Sequence, residues 1–212
     1  TVGGNFTNNG TFMPQTRTLI FSATPGSAHT FNPGRSTYNN VQFKSGNYSL
    51  TDNELYISHN IELDGGSLTV GDNAINLGDG TGVDNLNIAG TLYLVDDGKL
   101  KMGNNAYINV KSGGLISLVG SENHEAIVTS QKTTGTYSFT VDGEIAARYY
   151  KIERLNADGL HLKSGSTINA ADNLSNGQYS SGTAGGCYMW LENNLAAADA
   201  ELQISNVYFN AG

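Results

Sequence analysis

Between residues 61 and 118 the chain is a succession of short units that read apolar, polar, apolar. They are Ile61/Leu63, Leu68/Val70, Ile75/Leu77, Leu86/Ile88, Leu92/Leu94, Leu100/Met102, Ile108/Val110 and Leu115 to Leu118. Alternation with a period of two is the signature of a strand with one buried face. Gly65-Gly66, Gly71, Gly78, Gly80, Gly90, Gly98, Gly103 and Gly113-Gly114 separate the units. Every third unit recurs about 22 to 25 residues further on: Leu68 to Leu92 to Leu115, Ile75 to Leu100, Leu86 to Ile108. A repeat of this length holding three short strands predicts a solenoid of stacked β-coils, in which each coil buries its apolar side against its neighbours.

The theme extends in both directions. Leu19 to Phe21, Val41/Phe43, Tyr48/Leu50 and Leu55/Ile57 read as strands, and Val41 to Ile61 and Tyr48 to Leu68 are steps of about one coil. Beyond residue 119, strands are predicted at Ala126 to Thr129, Tyr137 to Val141, Arg148 to Ile152, Leu160/Leu162, Tyr188 to Leu191 and Leu202 to Phe209. Gln131 to Gly135 is predicted as a loop and residues 169–185 as turns. The alanines between Leu195 and Glu201 are a candidate for a single helical turn. The predicted fold is all-β: a right-handed, single-stranded parallel β-helix with about three strands per coil of roughly 20–25 residues, forming a single solenoid domain over residues 1–212. Thr1-Val2-Gly3-Gly4 and Asn206 to Gly212 both read as pattern cut in mid-course, with no polar cap. That predicts a segment of a longer solenoid, or a subunit that stacks end to end on copies of itself.

Composition fits this picture and excludes others. Glycine is abundant at 27 residues, as a chain that turns every few residues requires, and proline is scarce at 3. A hydrophobic fraction of 38% suits a thin core. The net charge of −8 and the dispersed 11 Lys and Arg leave no basic stripe, so a nucleic-acid partner is not expected. No apolar run is long enough to span a membrane as a helix. Cys187 cannot form an internal disulfide, and its apolar neighbourhood predicts a small buried hydrophobe.

Val2-Gly3-Gly4-Asn5-Phe6-Thr7-Asn8-Asn9-Gly10-Thr11-Phe12 resembles a phrase common in the parallel β-helix repeats of large secreted bacterial surface proteins of adhesin type. Thr30-Phe31-Asn32 with Tyr38-Asn39-Asn40-Val41, Gly66 to Gly71 and Gly113 to Leu118 continue it. The resemblance covers most of the chain in style. It implies the right-handed β-helix, an extracellular or cell-surface location and an adhesive or structural role, with no catalytic residues to carry over.

Few residues suggest chemistry. Asp79-Gly80-Thr81-Gly82-Val83-Asp84-Asn85-Leu86 resembles the nonapeptide that binds Ca²⁺ between successive coils, with Asp79 in place of the first glycine. Asp72, Asp79 and Asp84 are therefore the candidate metal ligands, for Ca²⁺; no other cofactor is expected. Asp96-Asp97 offers the paired carboxylates of a glycoside hydrolase, but strand neighbours point to opposite faces and no further acidic or basic companions accompany them. His124 lies between Glu122 and Glu125 without a zinc motif, and His29, His59 and His161 are single. Four N-glycosylation sequons begin at Asn5, Asn9, Asn47 and Asn173. Aromatics gather at Tyr149-Tyr150, Tyr188 to Trp190 and Tyr208-Phe209, where core filling is the first expectation and sugar stacking the alternative. The expected function is a non-catalytic structural or adhesive surface module, self-assembling end to end, with copies of itself or flanking domains as partners. A carbohydrate-binding or carbohydrate-cleaving β-helix, with a surface glycan as partner, and a Ca²⁺-stabilised secreted repeat are the alternatives.

Overall fold

The computed structural model describes residues 1–192 and 204–210. The first strands are β1 (Phe6–Thr7), β2 (Thr18–Ser22), β3 (Ala28–Asn32), β4 (Thr37–Ser45), β5 (Asn47–Leu50), β6 (Leu55–Leu63) and β7 (Ser67–Val70). The middle of the chain holds β8 (Ala74–Leu77), β9 (Asn85–Ile88), β10 (Thr91–Val95), β11 (Lys99–Met102), β12 (Tyr107–Val110), β13 (Leu115–Val119) and β14 (Ala126–Ser130). Then follow β15 (Tyr137–Val141), β16 (Glu144–Glu153), β17 (Leu155–Leu162), β18 (Thr167–Ser180), β19 (Met189–Leu191) and β20 (Tyr208–Asn210). All the strand pairings are parallel, and the result is the predicted parallel β-solenoid, of about seven turns.

Three ladders form its faces. The first stacks β3, β5, β7, β10, β13 and the beginnings of β16 and β18. The second stacks the beginnings of β4 and β6 with β8, β11, β14, the end of β16 and then the end of β18 and β20. The third stacks β2, the ends of β4 and β6, then β9, β12, β15, β17 and β19. Because side chains alternate across a strand, in-register parallel pairing sets equivalent inward residues directly above one another. The columns are Leu68-Leu92-Ile116-Ile145 on the first face, Leu55-Ile75-Leu100-Val128-Ile152-Tyr179 on the second and Leu19-Val41-Ile61-Leu86-Ile108-Phe139-Leu160 on the third. All are buried. Each such side chain contributes about 1.5–3 kcal/mol by leaving water, so the columns supply the cohesion between coils.

Two corners explain the bends. Where the third face turns into the first, Gly46, Gly66, Gly90, Gly114 and Gly143 lie in register, since each precedes a paired strand start. The first N–H of each following strand donates to the glycine carbonyl one coil earlier: Ser67 to Gly46 at 3.0 Å, Thr91 to Gly66 at 3.1 Å, Leu115 to Gly90 at 3.0 Å, Glu144 to Gly114 at 2.8 Å. The coils approach so closely here that a Cβ on Gly90 would lie 2.3 Å from the Gly66 carbonyl oxygen, and one on Gly114 2.1 Å from that of Ile88. Where the second face turns into the third, asparagines stack instead. Asn40 Oδ1 accepts from both the backbone and side-chain N–H of Asn60 at 3.1 Å, and Asn60 Oδ1 accepts from the same groups of Asn85 at 3.1 and 3.2 Å. The ladder satisfies backbone donors that the bend removes from the sheet.

Some expectations are corrected. The inward partner of Leu92 is Ile116, not Leu115, which stands half-exposed on the outer row. The corner glycine fixes this: the residue after it points outward in each coil, so Gly114 places Leu115 outside and Ile116 inside. Residues 169–185 are largely strand, not turns, because β18 runs through to Ser180 and pairs with both halves of β16, its register shifting around Ala147. Of the last predicted strand, Leu202 to Phe209, residues 204–207 are described and are not strand, and only Tyr208–Asn210 is extended; the candidate helical turn between Leu195 and Glu201 falls outside the described residues.

Candidate functional site

The corner between the second and third faces carries the chemistry. In β6 the chain rounds it in a continuous strand through Ser58 and His59. One coil later β8 ends at Leu77 and β9 begins at Asn85, leaving residues 78–84 as an outward loop over the same corner. Gly78, with φ +98°, Gly80 and Gly82, both also at positive φ, shape the loop in conformations that other residues rarely adopt. Gln131, from the coil beyond β11, fastens its base by donating from Nε2 to the carbonyls of Leu77 at 3.0 Å and Gly78 at 3.1 Å.

The pairing of Asn60 with Asn85 places Asp84 directly over His59. His59 Nδ1 is 3.4 Å from Asp84 Oδ1. The exposed Asp79, at the loop's entry, completes a group in which one ligand atom from each of His59, Asp79 and Asp84 lies within 4.8 Å of the others. Asp79 Oδ1 accepts from the backbone N–H of Thr81 at 2.8 Å and from its hydroxyl at 2.6 Å, and these bonds hold its carboxyl below the usual carboxylate range. Asp84 is 1% exposed, and its Oδ2 has no hydrogen-bond partner. That oxygen faces Gly78, whose hypothetical Cβ would lie 2.5 Å from it, and Gly103 in the next coil. Burial pushes the Asp84 carboxyl up, against the opposing hydrogen bond from His59, and the nearby Asp79 charge adds to the rise.

Of the three expected ligands, the structure thus brings together Asp79 and Asp84. Asp72, exposed in the turn between β7 and β8, is not in the group, and His59 takes the third place. His59 gives no local sequence signal: it lies 25 residues before Asp84, one coil away, and the coil length is the only clue that relates them.

Two other candidate motifs prove to be one. Asp96-Asp97 and the segment from Ser121 to Glu125 meet on neighbouring coils, where Ser121 Oγ donates to Asp96 Oδ1 at 2.8 Å and His124 Nδ1 lies 2.6 Å from Asp97 Oδ2. The carboxylates are held by this neighbouring turn, and Asp97, at φ 63°, sits in a tight turn. Asp97 raises the pKa of His124 above 6.5. With the folded pKa raised, the attraction is complete below the ordinary histidine range and is lost as pH rises through the folded value. A ¹³C- or ¹⁵N-detected titration is expected to place the His124 midpoint above 6.5 and Asp97→Asn to lower it; an unmoved midpoint in the variant would show that the pair does not form in solution.

Cys187 is exposed rather than buried, because its strand-like run begins only at Met189; Sγ donates to the Asp158 carbonyl at 2.9 Å. Core filling holds for Tyr150, whose ring meets that of the buried Tyr179 edge-on with the hydroxyls 3.2 Å apart. It does not hold for Trp190, Tyr208 and Phe209, which are exposed. Trp190 stacks on His161 with ring centroids 4.1 Å apart, and His161 Nε2 is 2.8 Å from Glu192 Oε1.

Comparison with protein-family models, with curated proteins and with solved structures finds no match to this chain, so its architecture, a parallel β-solenoid repeat of about seven turns, is the level at which it is placed.

Proposed function

We propose that the chain is a non-catalytic structural or adhesive module of an extracellular surface, built to stack end to end on copies of itself or on further coils of a longer protein. One observation carries this reading. The inward columns continue to the last described coil, where β19 pairs with β17 and β20 with β18, and no further described strand covers them. There Leu191 continues the column of Val141 and Leu162, and Phe209 stacks on Tyr179, yet Leu191 is 44% and Phe209 55% exposed. Exposed apolar side chains that continue the inward columns favour contact with another coil. The Gly/Asn-rich phrases that resemble secreted bacterial surface repeats support the location and the adhesive role. Asp79 and Asp84 lie on a different corner from Asp96 and Asp97, which are each held by a neighbour, and this favours a non-catalytic reading over a hydrolase.

Sedimentation across a wide concentration range, with electron microscopy of the same material, is expected to show association into filaments or end-to-end oligomers. Phe209→Asp is expected to weaken it. A chain that stays monomeric throughout contradicts self-assembly. The exposed Trp190, stacked on His161, supports the second reading, a glycan-binding face, through the affinity of aromatic rings for sugar faces. Since Trp190 is the sole tryptophan, its fluorescence reports directly on added oligosaccharide, and a saturable change in a monomeric chain favours that second reading.

A further inference from the structure

We infer that His59, Asp79 and Asp84 bind a divalent first-row transition metal, of the Zn²⁺ or Mn²⁺ class, that clips one coil to the next. The residues come from two coils: His59 from the strand β6, and Asp79 and Asp84 from the loop one coil later, Asp84 directly before the Asn85 that pairs with Asn60. Their ligand atoms lie within 4.8 Å of one another, near enough for small side-chain movements to close them around a single ion.

The independent sign of a ligand is Asp84. A carboxylate 1% exposed with Oδ2 lacking any donor is costly to bury, and native proteins rarely leave such an atom unsatisfied. His59 supplies one contact to the other oxygen, at a long 3.4 Å. Oδ2 packs closely against Gly78 and Gly103, which have no side chain to offer it a hydrogen bond. A cation is the partner that this arrangement lacks.

The donor set selects the metal. Ca²⁺ is a hard ion that takes six to eight oxygens, and an imidazole is a poor ligand for it. One imidazole with two carboxylates suits a smaller first-row ion, with water completing its shell. The calcium-type phrase from Asp79 to Leu86 lies in this loop, but with His59 in place of Asp72 the donor set points to a different ion. The ion would cross-link neighbouring coils at the corner where the loop interrupts the continuous strand.

The test uses the full chain, stripped with a chelator and titrated calorimetrically with Zn²⁺, Mn²⁺ and Ca²⁺ separately. Binding of one equivalent of Zn²⁺ or Mn²⁺ is expected, with a rise in thermal midpoint. Asp79→Asn and His59→Ala, at an exposed and a half-exposed position, should each weaken affinity by more than about tenfold. His124→Ala, at the other histidine–aspartate pair, should leave it unchanged. No binding by the wild-type chain overturns the inference, as does binding that survives in both variants, or Ca²⁺ binding that is equally tight and insensitive to His59→Ala. Far-UV circular dichroism of the metal-free variants separates loss of a ligand from loss of fold.

Discussion

Leu100→Asp is expected to unfold the coils on either side of β11. Leu100 is fully buried between Ile75 of the preceding coil and Val128 of the next. An aspartate there finds no partner in a column of aliphatic side chains, and an unpaired buried carboxylate is among the most destabilising changes a core can suffer. The expected loss is about 4–5 kcal/mol or more, large beside a total stability of about 5–15 kcal/mol. Leu100→Ala, which leaves only a cavity, should cost about 2–5 kcal/mol. Because each coil touches only its neighbours, hydrogen exchange should show the loss of protection centred on β8, β11 and β14 and fading towards the ends. A denaturation midpoint unchanged in Leu100→Asp would mean that the columns do not carry the cohesion of the solenoid.

Gly114→Ala should also be clearly destabilising, although it adds a single methyl. The Cβ would stand 2.1 Å from the Ile88 carbonyl oxygen and 3.1 Å from that of Lys111. These are backbone atoms that cannot rotate aside, so the coils must part. The bonds from Leu115 N–H to Gly90 and from Glu144 N–H to the Gly114 carbonyl lie directly beside the strain. A loss of about 2–3 kcal/mol is expected, in the range of overpacking in a close-packed core. Gly71→Ala is the matched control: nothing lies within 4 Å of its Cβ position and its φ is not in the left-handed region, so a change within about 0.5 kcal/mol is expected. Equal midpoints for the two variants in urea unfolding would remove the steric account of the glycine corner.

The two effects show how differently the parts of this fold declare themselves in sequence. The columns are legible: Leu68 with Leu92, Ile75 with Leu100 and Leu86 with Ile108 stand one coil apart and pair as the spacing predicts. Where both faces of a strand carry apolar residues, alternation loses its meaning. Leu115-Ile116-Ser117-Leu118-Val119 can be read in either phase, and only the contact of Gly114 with the coil before it selects Ile116 as the inward residue. Residues 169–185 failed for the opposite reason. Their Asn, Ser and Gly are typical of turns, but the parallel edges of β16 hold them extended, and pairing outweighs local preference.

The candidate site was half legible. Asp79 and Asp84 belong to one glycine-punctuated phrase, so their proximity is local. Asp72 is close to both in sequence but belongs to an earlier corner. His59 and the Asp96–Asp97 contacts to Ser121 and His124 depend on which residues lie one coil apart at a given corner, where loop lengths differ from coil to coil.

By itself, the sequence determined the class of structure: period-two alternation sets one face of each strand inward, and recurrence at coil length forces neighbouring coils to share a core. Tertiary structure alone decided the register of β13, the extension of β18, the exposure of Cys187 and Trp190 and the meeting of His59 with Asp84. Each of these depends on the atoms of an adjacent coil, about twenty to thirty residues away along the chain yet one strand spacing away in space.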